Sequence, residues 1–104
     1  MKNERIFRKE ALEACKEKFE GTADYTGIED DQCDAQCLYQ DSTPDRQAYT
    51  VTIAGHKCLQ DGRLSEGYVY GHYKVIMSVV DLQGFKPYIY ADFVEEKYVE
   101  AFIE

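Results

Sequence analysis

Between Gly27 and Cys37 the sequence GIEDDQCDAQC sets four carboxylates, Glu29, Asp30, Asp31 and Asp34, beside two thiols, Cys33 and Cys37. Carboxylates crowded on one short segment offer an anionic surface to a basic partner. They are also oxygen ligands for a hard cation, but the segment lacks the D-x-[DN]-x-[DN]-G-x5-E order that wraps calcium in an EF-hand loop. The thiols are soft donors, and with His56 and Cys58 they make up a Cys3His set of the kind tetrahedral zinc accepts. His56 and Cys58 are two apart, so on a strand they face the same way. Against zinc, Cys33 and Cys37 are spaced C-x3-C rather than the C-x2-C of a knuckle, and reduced cysteines commonly serve as small core residues. The expectation is no cofactor, with Cys33, Cys37, His56 and Cys58 held as a fallback metal set in a zinc- or small-ligand-binding regulatory domain.

Catalysis has less to stand on. His56 and His72 are candidate bases and Cys58 a candidate nucleophile, yet no pattern marks an activated thiolate, an oxyanion hole or an orienting third group. The chain contains no G-x-S-x-G, no phosphate-cradling glycine loop and no H-E-x-x-H. It reads as a non-enzyme.

Charge is the stronger signal. The formal net charge is −8, and it is unevenly placed. From Phe19 to Asp45 there are eight acidic residues and no Lys or Arg, which equals the whole net charge. From Ala91 onward Asp92, Glu95, Glu96, Glu100 and Glu104 face a lone Lys97. A field of this sign repels nucleic acid and anionic membrane and attracts Lys/Arg-lined protein surfaces, so neither nucleic acid nor membrane is expected as a direct partner. Asp92, Glu96, Glu100 and Glu104 recur every four residues and would form one acidic stripe on a helix. The residues assigned to partner binding are Glu29, Asp30, Asp31, Asp34, Glu96, Glu100 and Glu104.

Elements must present these groups. With 104 residues and 44% hydrophobic content, the chain can bury one core and not two, so residues 1–104 read as a single domain. The N-terminal MKNERIFRKEALEACKEKF is charged throughout, unlike a signal peptide, and no apolar run approaches the ~18 residues a membrane span needs. A cytoplasmic location is expected, where the four cysteines stay reduced. Asn3 is placed to cap an amphipathic helix whose Phe7, Ala11, Leu12, Ala14, Cys15 and Phe19 share one side, with Gly21 ending it. Its other side mixes Lys9, Glu13, Lys16, Glu17 and Glu20 as a solvent face.

Beyond the acidic stretch the period becomes two. A strand is expected near Ala35 to Gln40, and Tyr49, Val51 and Ile53 mark a second. A two-residue turn at Asp61-Gly62 would set Lys57 opposite Glu66 and Leu59 opposite Leu64. A turn at Gln83-Gly84 would set Asp81 opposite Lys86, Val79 opposite Tyr88 and Met77 opposite Tyr90. Gly71 suggests a bulge in the strand between those turns. Asp92 and Glu95 look like capping residues for a last helix with Val94, Tyr98, Ala101 and Phe102 on one side, against a strand reading in which Val99, Ala101 and Ile103 alternate. Of nine tyrosines, most should fill the core, Tyr68, Tyr88 and Tyr90 among them; aromatic surface left over would suit a protein interface.

The expected fold is therefore α+β: an N-terminal helix packed on a four-stranded antiparallel meander sheet, with a short C-terminal helix. In element order alone it resembles cystatin-like folds. In size and charge the chain resembles phage-encoded anti-defence proteins such as anti-CRISPRs, and immunity proteins that neutralise toxin nucleases; no sequence motif carries that likeness. The function expected is a small acidic inhibitor or decoy, a nucleic-acid mimic docking on a basic surface of a nuclease or other nucleic-acid-handling protein. Self-association as a homodimer is compatible with the same composition.

Overall fold

The computed structural model describes the chain except residues 1, 23, 44, 82, 85 and 102–104, together with the side chains of residues 2–6 and 39–41. Helix α1 spans Lys2–Glu20. Phe7, Ala11, Cys15 and Phe19 recur every four residues, so they share a face, and all four are buried against the sheet. Each large apolar side chain buried in this way contributes ~1.5–3 kcal/mol. The helix is already under way at Lys2, so Asn3 lies inside it rather than capping it. At the other end the Thr22 hydroxyl donates to the Lys18 carbonyl (2.8 Å), satisfying one of the acceptors that a helix terminus leaves open.

Five strands follow: β1 (Tyr25–Thr26), β2 (Asp34–Thr43), β3 (Arg46–Lys57), β4 (Val69–Val80) and β5 (Tyr88–Glu100). All pair antiparallel. One side of β3 carries β2 along its first half and β1 at its end, the other side carries β4, and β5 is the far edge. Alternation sends Tyr49, Val51 and Ile53 of β3 and Val69, Tyr73, Val75 and Met77 of β4 into the core under α1. The opposite face of the sheet has no helix on it among the described residues. There the rings of His56, Tyr68, Tyr70 and His72 follow one another with centroids 5.2 to 6.3 Å apart.

The C-terminal helix is overturned, and with it the four-strand count. Residues 88–100 are strand, rich in the aromatic and β-branched types (Tyr88, Ile89, Tyr90, Phe93, Val94, Tyr98, Val99) that fit a pleated surface. β5 also bulges. Lys74 pairs Glu95 while its neighbour Val75 pairs Phe93, leaving Val94 without a cross-strand partner. Phe93 and Ala91 before the bulge, and Glu96, Tyr98 and Glu100 after it, all look toward the helix side, a spacing no uninterrupted period-two pattern gives.

Both hairpins differ in register from the sequence expectation. Around Asp61-Gly62, the Gly62 N–H bonds the Leu59 carbonyl (2.9 Å) and the Leu59 N–H bonds the Arg63 carbonyl (2.7 Å). That is a three-residue loop whose last member, Gly62 at φ 85, takes the left-handed conformation. Cys58 consequently pairs Leu64, and farther along Gly55 pairs Val69. At the second hairpin Val79 meets Ile89 and Val80 meets Tyr88. Gly71 is not a bulge: it lies opposite Ile53 in regular pairing, and the Tyr73 ring folds over it, with the hydroxyl 2.7 Å from where a β-carbon would stand.

Candidate functional site

The acidic segment is held as a ridge along the flank of α1. Between β1 and β2 the chain leaves the β3 edge, makes a 3-10 turn over Asp30–Gln32, and returns. The gap in the ladder is closed from both ends. The Glu29 N–H donates to the Ala54 carbonyl (2.9 Å), and the Ala54 N–H donates to the Cys33 sulfur (3.4 Å), whose own S–H donates to the Glu29 carbonyl (3.4 Å). Cys33 thus replaces a missing strand acceptor. Its burial pushes the thiol pKa up, away from the thiolate a metal or nucleophile requires.

Two helix cations latch the ridge. Lys16 Nζ lies 2.7 Å from Asp30, and Arg8 reaches Asp34 (3.2 Å) and the Ala35 carbonyl (3.1 Å). The hydrogen bond to Asp30 raises the Lys16 pKa. Glu29 leans on His56 Nε2 at 3.3 Å. The carboxylates nonetheless stay open to water: the side chains of Glu29, Asp30 and Asp34 are 44%, 79% and 62% exposed, and Asp31 is exposed. An exposed pair such as Lys16–Asp30 contributes ~1 kcal/mol or less. Replacing Lys16 with Met should therefore move the urea midpoint by an amount corresponding to less than about 1 kcal/mol, and less again at high salt.

The second acidic group does not join the first. Glu96 and Glu100 lie on β5, where Glu96 meets Lys18 (3.6 Å) and Glu100 meets Lys57 (3.5 Å) and accepts the Tyr25 hydroxyl (2.8 Å). The acidic stripe expected on a helix does not form, because residues 88–100 are strand. Glu104 lies outside the described residues.

The fallback metal set is likewise dispersed over different hydrogen bonds. Cys33 closes the β3 edge, the Cys37 sulfur sits 3.6 Å from the Ser42 hydroxyl, and the Cys58 thiol donates to the Leu59 carbonyl (3.8 Å). His56 Nδ1 faces two acceptors, the carbonyls of Ser65 (2.8 Å) and Gly67 (3.0 Å), so the ring proton sits there. Its Nε2 is turned to the Glu29 carboxylate, 3.3 Å away. Among the described residues, no three His, Cys, Asp or Glu side chains are gathered to hold an ion.

Comparison adds no relative. No family model, curated protein or solved structure matches this chain. Among the described residues, no helix is long and apolar enough to cross a membrane.

Tyr88 and Tyr90, expected in the core, are about half exposed on the β4–β5 hairpin, whereas Tyr49 and Tyr73 are buried. The one-residue register difference accounts for this, since a slip of one exchanges the faces of a strand. Lys16, expected on the solvent face of the helix, and Arg8, which no sequence pattern singles out, hold the acidic ridge. Arg8 stands 26 residues from Asp34, and no local spacing in the sequence could have joined them.

Proposed function

We propose that this chain is a small, acidic, non-catalytic binding protein that works in the cytoplasm as an inhibitor or decoy. Its docking element is the ridge of Glu29, Asp30, Asp31 and Asp34. Its partner is a protein with a Lys/Arg-lined surface, of the kind that binds nucleic acid, such as a nuclease. The observation that carries this reading is the ridge itself: four carboxylates against the two latching cations, exposed yet fixed by backbone bonds at both ends. A fixed polyanionic element loses little conformational entropy on docking, which is what a mimic of a phosphate backbone requires. The non-catalytic part of the reading is supported by the commitment of His56 Nδ1 to the Ser65 and Gly67 carbonyls and by the raised pKa of the Cys33 thiol.

The test is capture from the cells that make the protein, with the wild type and a Glu29→Gln, Asp30→Asn, Asp31→Asn, Asp34→Asn variant as parallel baits. A basic nucleic-acid-binding protein should be retained by the first and lost by the second. Against that partner, the variant should associate about 10- to 1,000-fold more slowly at low salt, the range over which electrostatic steering acts. Raising the ionic strength should narrow the difference, because exposed charges are screened beyond about 8 Å at physiological salt. Recovery of only acidic proteins or metabolic enzymes, or an association rate indifferent to salt, would overturn the reading.

A further inference from the structure

The β4–β5 hairpin presents a free edge with an unusual composition. Among the described residues, β5 pairs with β4 on one side only. Near the turn, Tyr88, Ile89 and Tyr90 are 52%, 36% and 50% exposed, and Val79, opposite Ile89, is 45% exposed. Over Val79 to Ala91 the charged residues are Asp81 and Lys86, so this is a nearly neutral apolar strip on a molecule of net charge −8. Proteins normally blunt such an edge with charge, or cover it.

The backbone direction at this edge follows from one bond. The Val79 N–H donates to the Asp45 carbonyl (3.3 Å), toward β3. In an antiparallel ladder the polar groups of successive residues point alternately to either side. Val79 therefore turns its groups away from β5, the pair Val79–Ile89 is a non-hydrogen-bonded one, and the N–H and C=O of Ile89 point out of the sheet. Those of Ala91 do the same, as does the carbonyl of Pro87.

We propose that the edge is completed by a second copy of this chain, antiparallel, with the two-fold axis at Ile89. The two Ile89 residues then exchange both backbone bonds, and each Ala91 N–H meets the carbonyl of the partner's Pro87. On the open face of the sheet, Tyr88 comes opposite the partner's Tyr90. Flanking them, Lys86 comes opposite the partner's Asp92, and the symmetry supplies this pair twice. On the helix side, Ile89 meets the partner's Ile89 with Val79 beside it. Charge selects this register. A two-fold at Tyr90 would set Asp92 against the partner's Tyr88, and one at Asp92 would set two aspartates together. Pro87 contributes no N–H, so the paired run ends there, before the turn.

Cross-strand charge pairs carry the discriminating test. In sedimentation velocity the wild type should populate a dimer in a concentration-dependent way. Asp92→Lys and Lys86→Asp, each of which sets like charges face to face twice, should weaken association by about 10- to 100-fold. The double variant, Lys86→Asp with Asp92→Lys, restores opposite pairing and should dimerise as the wild type does. Circular dichroism melts establish that each variant is folded, as expected for two exposed side chains. Hydrogen exchange gives a readout without mutation: the Ile89 and Ala91 amides should gain protection as the concentration rises. A wild type that stays monomeric, single variants that dimerise unchanged, a double variant that fails to recover, or edge amides that exchange freely in the dimer would each overturn the proposal.

Discussion

Gly55→Ala is expected to destabilise this protein by about 1–3 kcal/mol, a large part of the ~5–15 kcal/mol that holds a domain of this kind together. A β-carbon at position 55 would stand 2.6 Å from Phe19 Cε1, 2.9 Å from Phe19 Cζ and 2.8 Å from the Thr26 carbonyl oxygen. None of these can yield cheaply. Phe19 is fully buried at the end of α1 and stacks on Tyr25 with ring centroids 5.3 Å apart. The Thr26 oxygen is backbone, fixed because Thr26 pairs with His56. Gly55 is thus a place where the end of the helix presses on the sheet, and the glycine is there for want of room, since its φ is not positive. Phe19→Ala alone should cost about 3–5 kcal/mol by leaving a cavity. The combination should cost clearly less than the sum, because the new methyl enters the space the ring vacates. Urea unfolding of the four proteins measures this coupling. A Gly55→Ala change below about 0.5 kcal/mol would place it among neutral surface substitutions, and would mean that the ring does not lie against the strand.

That contact illustrates how much of the fold could be read from sequence. The α1 face of Phe7, Ala11, Cys15 and Phe19 is a local period, as is Tyr49, Val51 and Ile53 in β3, and local periods survive in the folded chain. What failed was whatever a single inserted residue controls. A three-residue loop in place of a two-residue one at Asp61-Gly62 moved the register, and the bulge at Val94 interrupted the period of two in β5. Both insertions are set by tertiary pairing, which a window of sequence does not contain. The acidic ridge was visible as composition, and the contacts that hold it were not. They come from Ala54, Arg8 and Lys16, all distant in sequence from the residues they hold.

Alkaline pH should unfold the protein through the same core. Burial pushes the Cys15 thiol pKa from 9.0 to about 12. Burial, and then the hydrogen bond to Glu100, push Tyr25 from 10.0 to about 12. Tyr73 is raised by burial in the same direction, and its hydroxyl donates to that of Tyr98 (3.2 Å). In each case the folded state holds the proton more tightly than the unfolded chain does. The corresponding stability is fully present below the unfolded-state pKa and is lost as the pH climbs through the folded one. The window therefore opens near pH 9 with the thiol and near pH 10 with Tyr25, and extends to about pH 12. At 1.36 kcal/mol for each tenfold difference in proton affinity, Cys15 alone accounts for about 4 kcal/mol across it. Urea unfolding between pH 8 and pH 11.5 should show stability falling steadily, and Cys15→Ala should flatten the first part of that fall, at a modest cost at pH 8 for the lost sulfur. Reactivity supplies an independent check: Cys33, Cys37 and Cys58 are partly exposed and should react with a thiol reagent well before Cys15, which must wait for the core to open. Wild-type stability that stays level to pH 11, or a Cys15 that reacts alongside the other three, would mean that this thiol is not sealed beneath α1 and that the helix does not close the core as described.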